Sequence, residues 1–122
     1  MPSMKAVRLH AYGASDVLIY EDAPRPIPAE GEVLIKVHAT SVNPFDVAMR
    51  AGYMTGYFNL PLPLILGTDV SGVVEELGAG VTNLALGDSV YTRTGVGRDG
   101  AYAEYAVAPA ADVVAKPKSL DH

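Results

Sequence analysis

The sequence predicts a mainly β domain with one or two short helices, and three observations carry that prediction. Glycine and proline, 12 and 9 of 122 residues, are spread along the chain as frequent punctuation, which suits many short strands. Apolar and polar residues alternate in short runs, most plainly over 32–39. One stretch, SVNPFDVAMRAGY, carries a full set of helix start and stop signals.

Taken in order, Lys5–His10 begins strand-like, and Val17–Glu21 is expected to pair with it across the turn at 12–16. Prolines 24, 26 and 28 make PRPIPAEGE an extended connector, because the residue before a proline is pushed out of the helical region. In Glu32–Ala39, Val33, Ile35, Val37 and Ala39 face one way while Lys36 and His38 face the other. The helix comes next. Asn43 is its N-cap, Pro44 takes the first position where a missing N–H costs nothing, and Asp46 faces the positive end of the dipole. Val42 and Val47 occupy the two positions of a hydrophobic staple, Phe45 and Met49 form an apolar pair one turn apart, and Gly52 ends the helix. Val70–Leu77, interrupted by Gly72, and Asp88–Thr92 read as further strands. Tyr102–Val107 is ambiguous: its alanines favour helix, while the turn before it and Pro109 after it favour a hairpin strand. Asp112–Ala115 is a short last strand.

The bulk numbers fit one globular domain, 49% hydrophobic and 19% charged. Net charge is −5 with no basic cluster, which argues against nucleic acid or an anionic membrane as partner. With no cysteine there is no disulfide framework and no thiolate metal site. His10, His38 and His122 are far apart and lack metal-ligand spacing. The N-terminus has no apolar signal region, and no apolar run approaches the roughly 20 residues of a membrane span. A cytoplasmic protein is expected.

Residues 95–100, GVGRDG, spell G-x-G-x-x-G. That pattern binds a dinucleotide only where a strand delivers the chain and a helix begins after it. A short strand precedes it, but Pro109 stops any following helix after about two turns, and only 22 residues remain for the rest of a βαβ unit. Gly95, Gly97 and Gly100 are expected to form a turn between strands rather than a phosphate cradle.

GEVLIKVHATSVNPFD (31–46), LPLILGTDVSGVVEELGAGV (62–81), LGDSVY (86–91) and GAYAEYAVAPAADVVAKP (100–117) resemble one family in order and through nearly the whole chain. They are similar to the N-terminal GroES-like domain of the medium-chain dehydrogenase/reductase superfamily, in its zinc-independent quinone oxidoreductase branch. The resemblance implies a GroES-like, partly open β-barrel over 1–122, with the Rossmann cofactor domain lying outside this chain. It also implies NADPH as cofactor, bound mainly by that other domain, and a small-molecule quinone or enone as substrate.

Zinc-dependent relatives carry a cysteine and a His-Glu pair where this sequence has Asn43, Thr68 and Asp69. An amide and a hydroxyl are poor zinc ligands, so no zinc is expected. Without zinc, a hydrogen-bond donor must stabilise the developing oxyanion, or the substrate must be electrophilic already. Asn43 is the first catalytic candidate, since the family's matching asparagine lies near the nicotinamide and substrate. Its other role is the N-cap, which uses the side-chain oxygen and leaves the NH2 free. Tyr53 is the second candidate, offset by one from the family's usual position; the alternative is that Tyr53 and Tyr57 are packing or loop residues. Thr68 and Asp69 lie near the cofactor pocket by position, with capping or turn roles as the alternative.

The resemblance therefore implies the substrate-side half of a quinone or enone reductase, inactive alone. A free-standing GroES-like binding or co-chaperonin-like module is the runner-up, and a reductase of short-chain alkenals is a third reading. An exposed cleft wall and unpaired strand edges imply homo-oligomers.

Overall fold

A computed structural model describes residues 2–95 and 97–122. Among them run eight strands and one α-helix: β1 Ser3–Leu9, β2 Leu18–Pro24, β3 Glu32–Thr40, α1 Pro44–Ala51, β4 Leu64–Ile65, β5 Asp69–Leu77, β6 Ser89–Arg93, β7 Tyr105–Pro109 and β8 Val114–Ala115. Single 3-10 turns precede β2 at Ser15–Val17 and β8 at Ala110–Asp112. The strands form a three-stranded sheet in the order β2-β1-β4 and a five-stranded sheet in the order β7-β3-β5-β6-β8. Neither sheet closes on itself, so the fold is mainly β and partly open.

The expected hairpin of β1 and β2 is present, with Val7 opposite Tyr20 and Ser3 opposite Pro24. β3 lies between β5 and β7. Val33, Leu34 and Ile35 are all fully buried, so the first half of β3 is covered on both faces. Beyond Ile35 the strand alternates as expected, with Lys36 and His38 exposed. β5 runs through Gly72 without a break. A side chain there would run into the Lys36 carbonyl of β3, so the close approach of two backbones calls for the glycine.

Two features differ from the sequence reading. β4 was not anticipated: it is two residues long, pairs with Arg8 and Leu9 of β1, and is too short for any periodicity to announce it. The other concerns β6 and β7, which are not a hairpin, because β7 pairs with β3 on the far side of the sheet. The connection is used instead to join the two sheets. Gly100 N–H donates to the Ile65 carbonyl, Tyr102 N–H to that of Leu66, Glu104 N–H to that of Lys5 and Val37 N–H to that of Glu104. Residues 99–104 are thus a seam, and the N–H groups of Gly100, Ala101, Tyr102 and Glu104 are consumed in tertiary hydrogen bonds rather than in a helix.

Helix α1 is flanked by Asn43 at its N-cap and by Gly52 at its C-cap, whose left-handed φ of 86° is one glycine adopts readily. Met49 is buried and Phe45 meets the Phe58 ring edge-on at 5.8 Å, giving a small apolar cluster with Leu64 and Leu66. The staple valines are exposed, Val42 at 73% and Val47 at 42%, so the helix is anchored by its Phe45–Met49 face instead.

Candidate functional site

The site grows from the N-terminal end of α1. Asp46 is 3% exposed, and its carboxylate is held by backbone donors on both sides. Oδ2 accepts the Asn43 N–H at 3.0 Å, and Oδ1 accepts the Gly67 N–H at 3.2 Å. A buried carboxylate is tolerable there because hydrogen bonds and the helix dipole replace lost hydration. Asp46 therefore ties α1 to the strand-entry segment at Gly67, which is a structural role.

Asn43 does more than cap. Its amide nitrogen donates to Ser41 Oγ at 3.2 Å and to Asp69 Oδ2 at 2.9 Å. The NH2 expected to be free is therefore engaged, because β3 and β5 bring Ser41 and Asp69 to the same corner. Ser41 Oγ also donates to Asp69 Oδ2, at 2.7 Å, and Thr40 Oγ1 donates to the Asp69 carbonyl at 2.7 Å. The Ser41 hydroxyl and then the Asn43 amide hold the Asp69 carboxyl below the usual carboxylate range; partial burial opposes them, and Arg93 adds a smaller pull downward. Arg93 stands opposite Asp69 across the β5–β6 ladder. A cleft of about 370 Å³ opens beside the cluster, lined among others by Thr40, Ser41, Asp69, Ser71, Thr92 and Arg93.

Thr68 is buried just before Asp69. Its carbonyl accepts the Thr94 N–H at 2.6 Å, and it borders a gap of about 20 Å³ shared with Asp46, Gly67 and Arg98. Tyr53 sits elsewhere. It is 80% exposed in the turn after α1, and that eight-residue helix separates it from Asn43 by about 12 Å of rise. Asn43 and Asp69 are therefore joined, Thr68 adjoins them, and Tyr53 shares no hydrogen bond with them.

Ser41 and Tyr102 belong to this corner and were not singled out from sequence. The Tyr102 hydroxyl donates to the Ser41 carbonyl at 3.3 Å. Burial, followed by the Asp46 carboxylate, pushes the phenol far above its ordinary value, so it remains a donor at any physiological pH. No local pattern marks either residue, since their partners lie 28 and 61 positions away.

The glycine run is confirmed as a connection between β6 and β7 with no helix after it. Gly100 N–H is already bonded within the protein, and Val96 lies outside the described residues. Among the described residues, no group of three or more His, Asp or Glu side chains stands close enough to share a metal ion. Among them, too, no helix is long and apolar enough to cross a membrane.

Comparison with known proteins places this architecture. The alcohol dehydrogenase GroES-like domain model matches residues 29–118. An NAD(P)H oxidoreductase of Dictyostelium discoideum, the mitochondrial RTN4IP1, is 40% identical over 98% of this chain, which spans 35% of that protein. The quinone oxidoreductase of Coxiella burnetii superposes with a TM-score of 0.89 at 35% identity, covering 98% of this chain and 39% of its own. A mycobacterial protein, Rv1454c, solved with NADPH, superposes with a TM-score of 0.84 at 35% identity, over 97% of this chain and 34% of its own. The chain spans about a third of the length of the curated relatives it matches. It belongs to the alcohol dehydrogenase GroES-like domain family, within the medium-chain dehydrogenase/reductase oxidoreductases.

Proposed function

We propose that this chain is the substrate-side domain of an NADPH-dependent reductase of quinones or enones, acting by hydride transfer to an electrophilic carbonyl or double bond. The observation that carries the reading is the Ser41–Asn43–Asp69 cluster at the rim of a cleft, in a chain 40% identical to an NAD(P)H oxidoreductase over nearly its whole length.

The residues present fit one wall of a cofactor site. Two groups that could have met a phosphate are engaged within the protein: Asp46 occupies the N-terminus of α1, and Gly100 donates to Ile65. A dinucleotide would therefore be anchored by a domain outside residues 1–122, with its nicotinamide end facing Asn43, Thr68 and Asp69. When bound, the cofactor supplies the hydride. Ser41 and Asn43 hold Asp69 ionised, and Asn43 has to release one present partner before its amide donates to a developing oxyanion. The proton that completes the reduction comes from water at the open cleft.

Zinc has no part in this reading. The donor set at the corner is an amide, a hydroxyl and one carboxylate already bonded to Ser41 and Asn43, and it offers no soft or imidazole ligand. Elemental analysis of purified protein is expected to find no chelator-resistant zinc. The activity is tested with a simple quinone, on residues 1–122 alone and on the polypeptide encoded if the reading frame continues past His122. The short chain is expected to show no turnover above background, since positioning the hydride donor is worth roughly 7–11 kcal/mol of barrier. The longer polypeptide is expected to oxidise NADPH. Micromolar NADPH binding and turnover by the short chain would overturn the assignment of the cofactor site, and an inert longer polypeptide would overturn the reductase.

A further inference from the structure

We propose that Tyr102 is a positioning residue, which sets the Ser41–Asn43 segment on Asp69 and couples that corner to the seam between the two sheets. The proposal deepens the reductase reading and rests on it for its catalytic meaning only.

The geometry builds from the glycines. A side chain on Gly67 would strike the Tyr102 ring, and one on Gly100 would strike the Gly67 carbonyl. These two glycines therefore let the backbone at 100–102 lie directly against the backbone at 66–67. Tyr102 is fixed there by its own main chain, donating to the Leu66 carbonyl at 3.0 Å and accepting the Val7 N–H at 2.8 Å. Its backbone thus holds β1 and the segment entering β5 together. Its side chain packs against two apolar clusters, the one of Met4, Ala6, Ala23 and Ile65 and the one of Met49, Leu64 and Leu66. Only the hydroxyl remains, and it reaches the Ser41 carbonyl.

That carbonyl belongs to the residue whose side chain, with Asn43, holds the Asp69 carboxylate. The loop from Ser41 to Asn43 has no regular structure of its own, lying between β3 and α1. Its orientation therefore depends on a few tertiary hydrogen bonds, and Tyr102 supplies one from a ring locked by packing. The second half of the G-x-G-x-x-G pattern acquires a use here: Gly100 seats the tyrosine two residues on.

The test is Tyr102→Phe, which keeps the ring and deletes the donor. Amide hydrogen exchange of the Asn43 side chain and the titration of Asp69 are followed by NMR in wild type and variant. The expected result is exchange about three- to tenfold faster, the factor one neutral hydrogen bond is worth, with the Asp69 carboxyl moving up toward its ordinary range. Tyr105→Phe, whose parent ring lies under the Arg25 guanidinium at 4.0 Å, is expected to leave both readouts unmoved. Unchanged Asn43 exchange and Asp69 titration in Tyr102→Phe would overturn the proposal. Should that variant fail to fold, protection of the Tyr102 hydroxyl proton in the wild-type chain decides it, and rapid exchange there would also overturn it. Neither readout involves turnover, so an inactive enzyme with a shifted Asn43 refutes the reductase and leaves the positioning role intact.

Discussion

A carboxylate that accepts two side-chain hydrogen bonds, as Asp69 does from Ser41 and Asn43, releases its proton more readily than the same group in an unfolded chain. The consequence for stability has a definite sign. The folded value lies below the unfolded one, so the contribution is complete above about pH 4 and is lost as pH falls through the folded value. Asp69→Asn is therefore expected to flatten the loss of stability in acid, read as the difference between urea midpoints near neutrality and below about pH 4. Glu32, held low by Arg98, adds acid sensitivity of its own, so the comparison must be with wild type. Asn43→Ala is expected to cost ~1 kcal/mol as a lost cap and also to raise the Asp69 pKa. An unmoved Asp69 titration in Asn43→Ala would leave the cap as its whole role. Asn43 was legible from sequence because cap, proline and acid follow one another within four residues. Its grip on Asp69 was not, because 26 residues separate the two.

At the scale of elements, the glycine run divides by function. Gly100 lies against the Gly67 backbone, whereas a side chain on Gly97 would meet nothing within 4 Å. Gly100→Ala is expected to destabilise by about 1–3 kcal/mol, as overpacking does, and Gly97→Ala by no more than about 0.5 kcal/mol. Thermal unfolding of the pair checks this, and equal effects would contradict the seam. A phosphate cradle would instead spend both glycines on ligand binding. Helix α1, β1–β2, β3 and β5 were readable because their signals are local: caps, turn residues and alternation. β4 was unreadable because two residues carry no period. The pairing of β7 with β3, rather than with β6, depends on which sheet edge is free, and a window of neighbouring residues does not report that.

For the whole molecule, the open ends of the sheets matter. β7 and β8 end the larger sheet, and β2 ends the smaller one with Ile19 and Tyr20 exposed on it. Tyr53 and Tyr57 are exposed after α1, and Val114 is exposed on β8. Unpaired edges carrying apolar side chains recruit partners. We propose that the chain self-associates, with sedimentation giving a mass that rises with concentration; a monomer at all concentrations would refute it. Introducing lysine at Tyr20 is expected to weaken the association if β2 is the edge used.

The sequence by itself determined the fold class, the position and caps of the helix, the family, and the place of GVGRDG in a connection between strands. Each of these follows from neighbours in the chain or from motifs in order. Only the tertiary structure decided that Asn43 spends its amide on Asp69, that Ser41 and Tyr102 belong to the same corner, and that residues 99–104 stitch two sheets together. The physical reason is that a hydrogen bond is short and directional. Whether a donor meets an acceptor depends on where distant strands bring them, and residue type and local periodicity leave that undetermined.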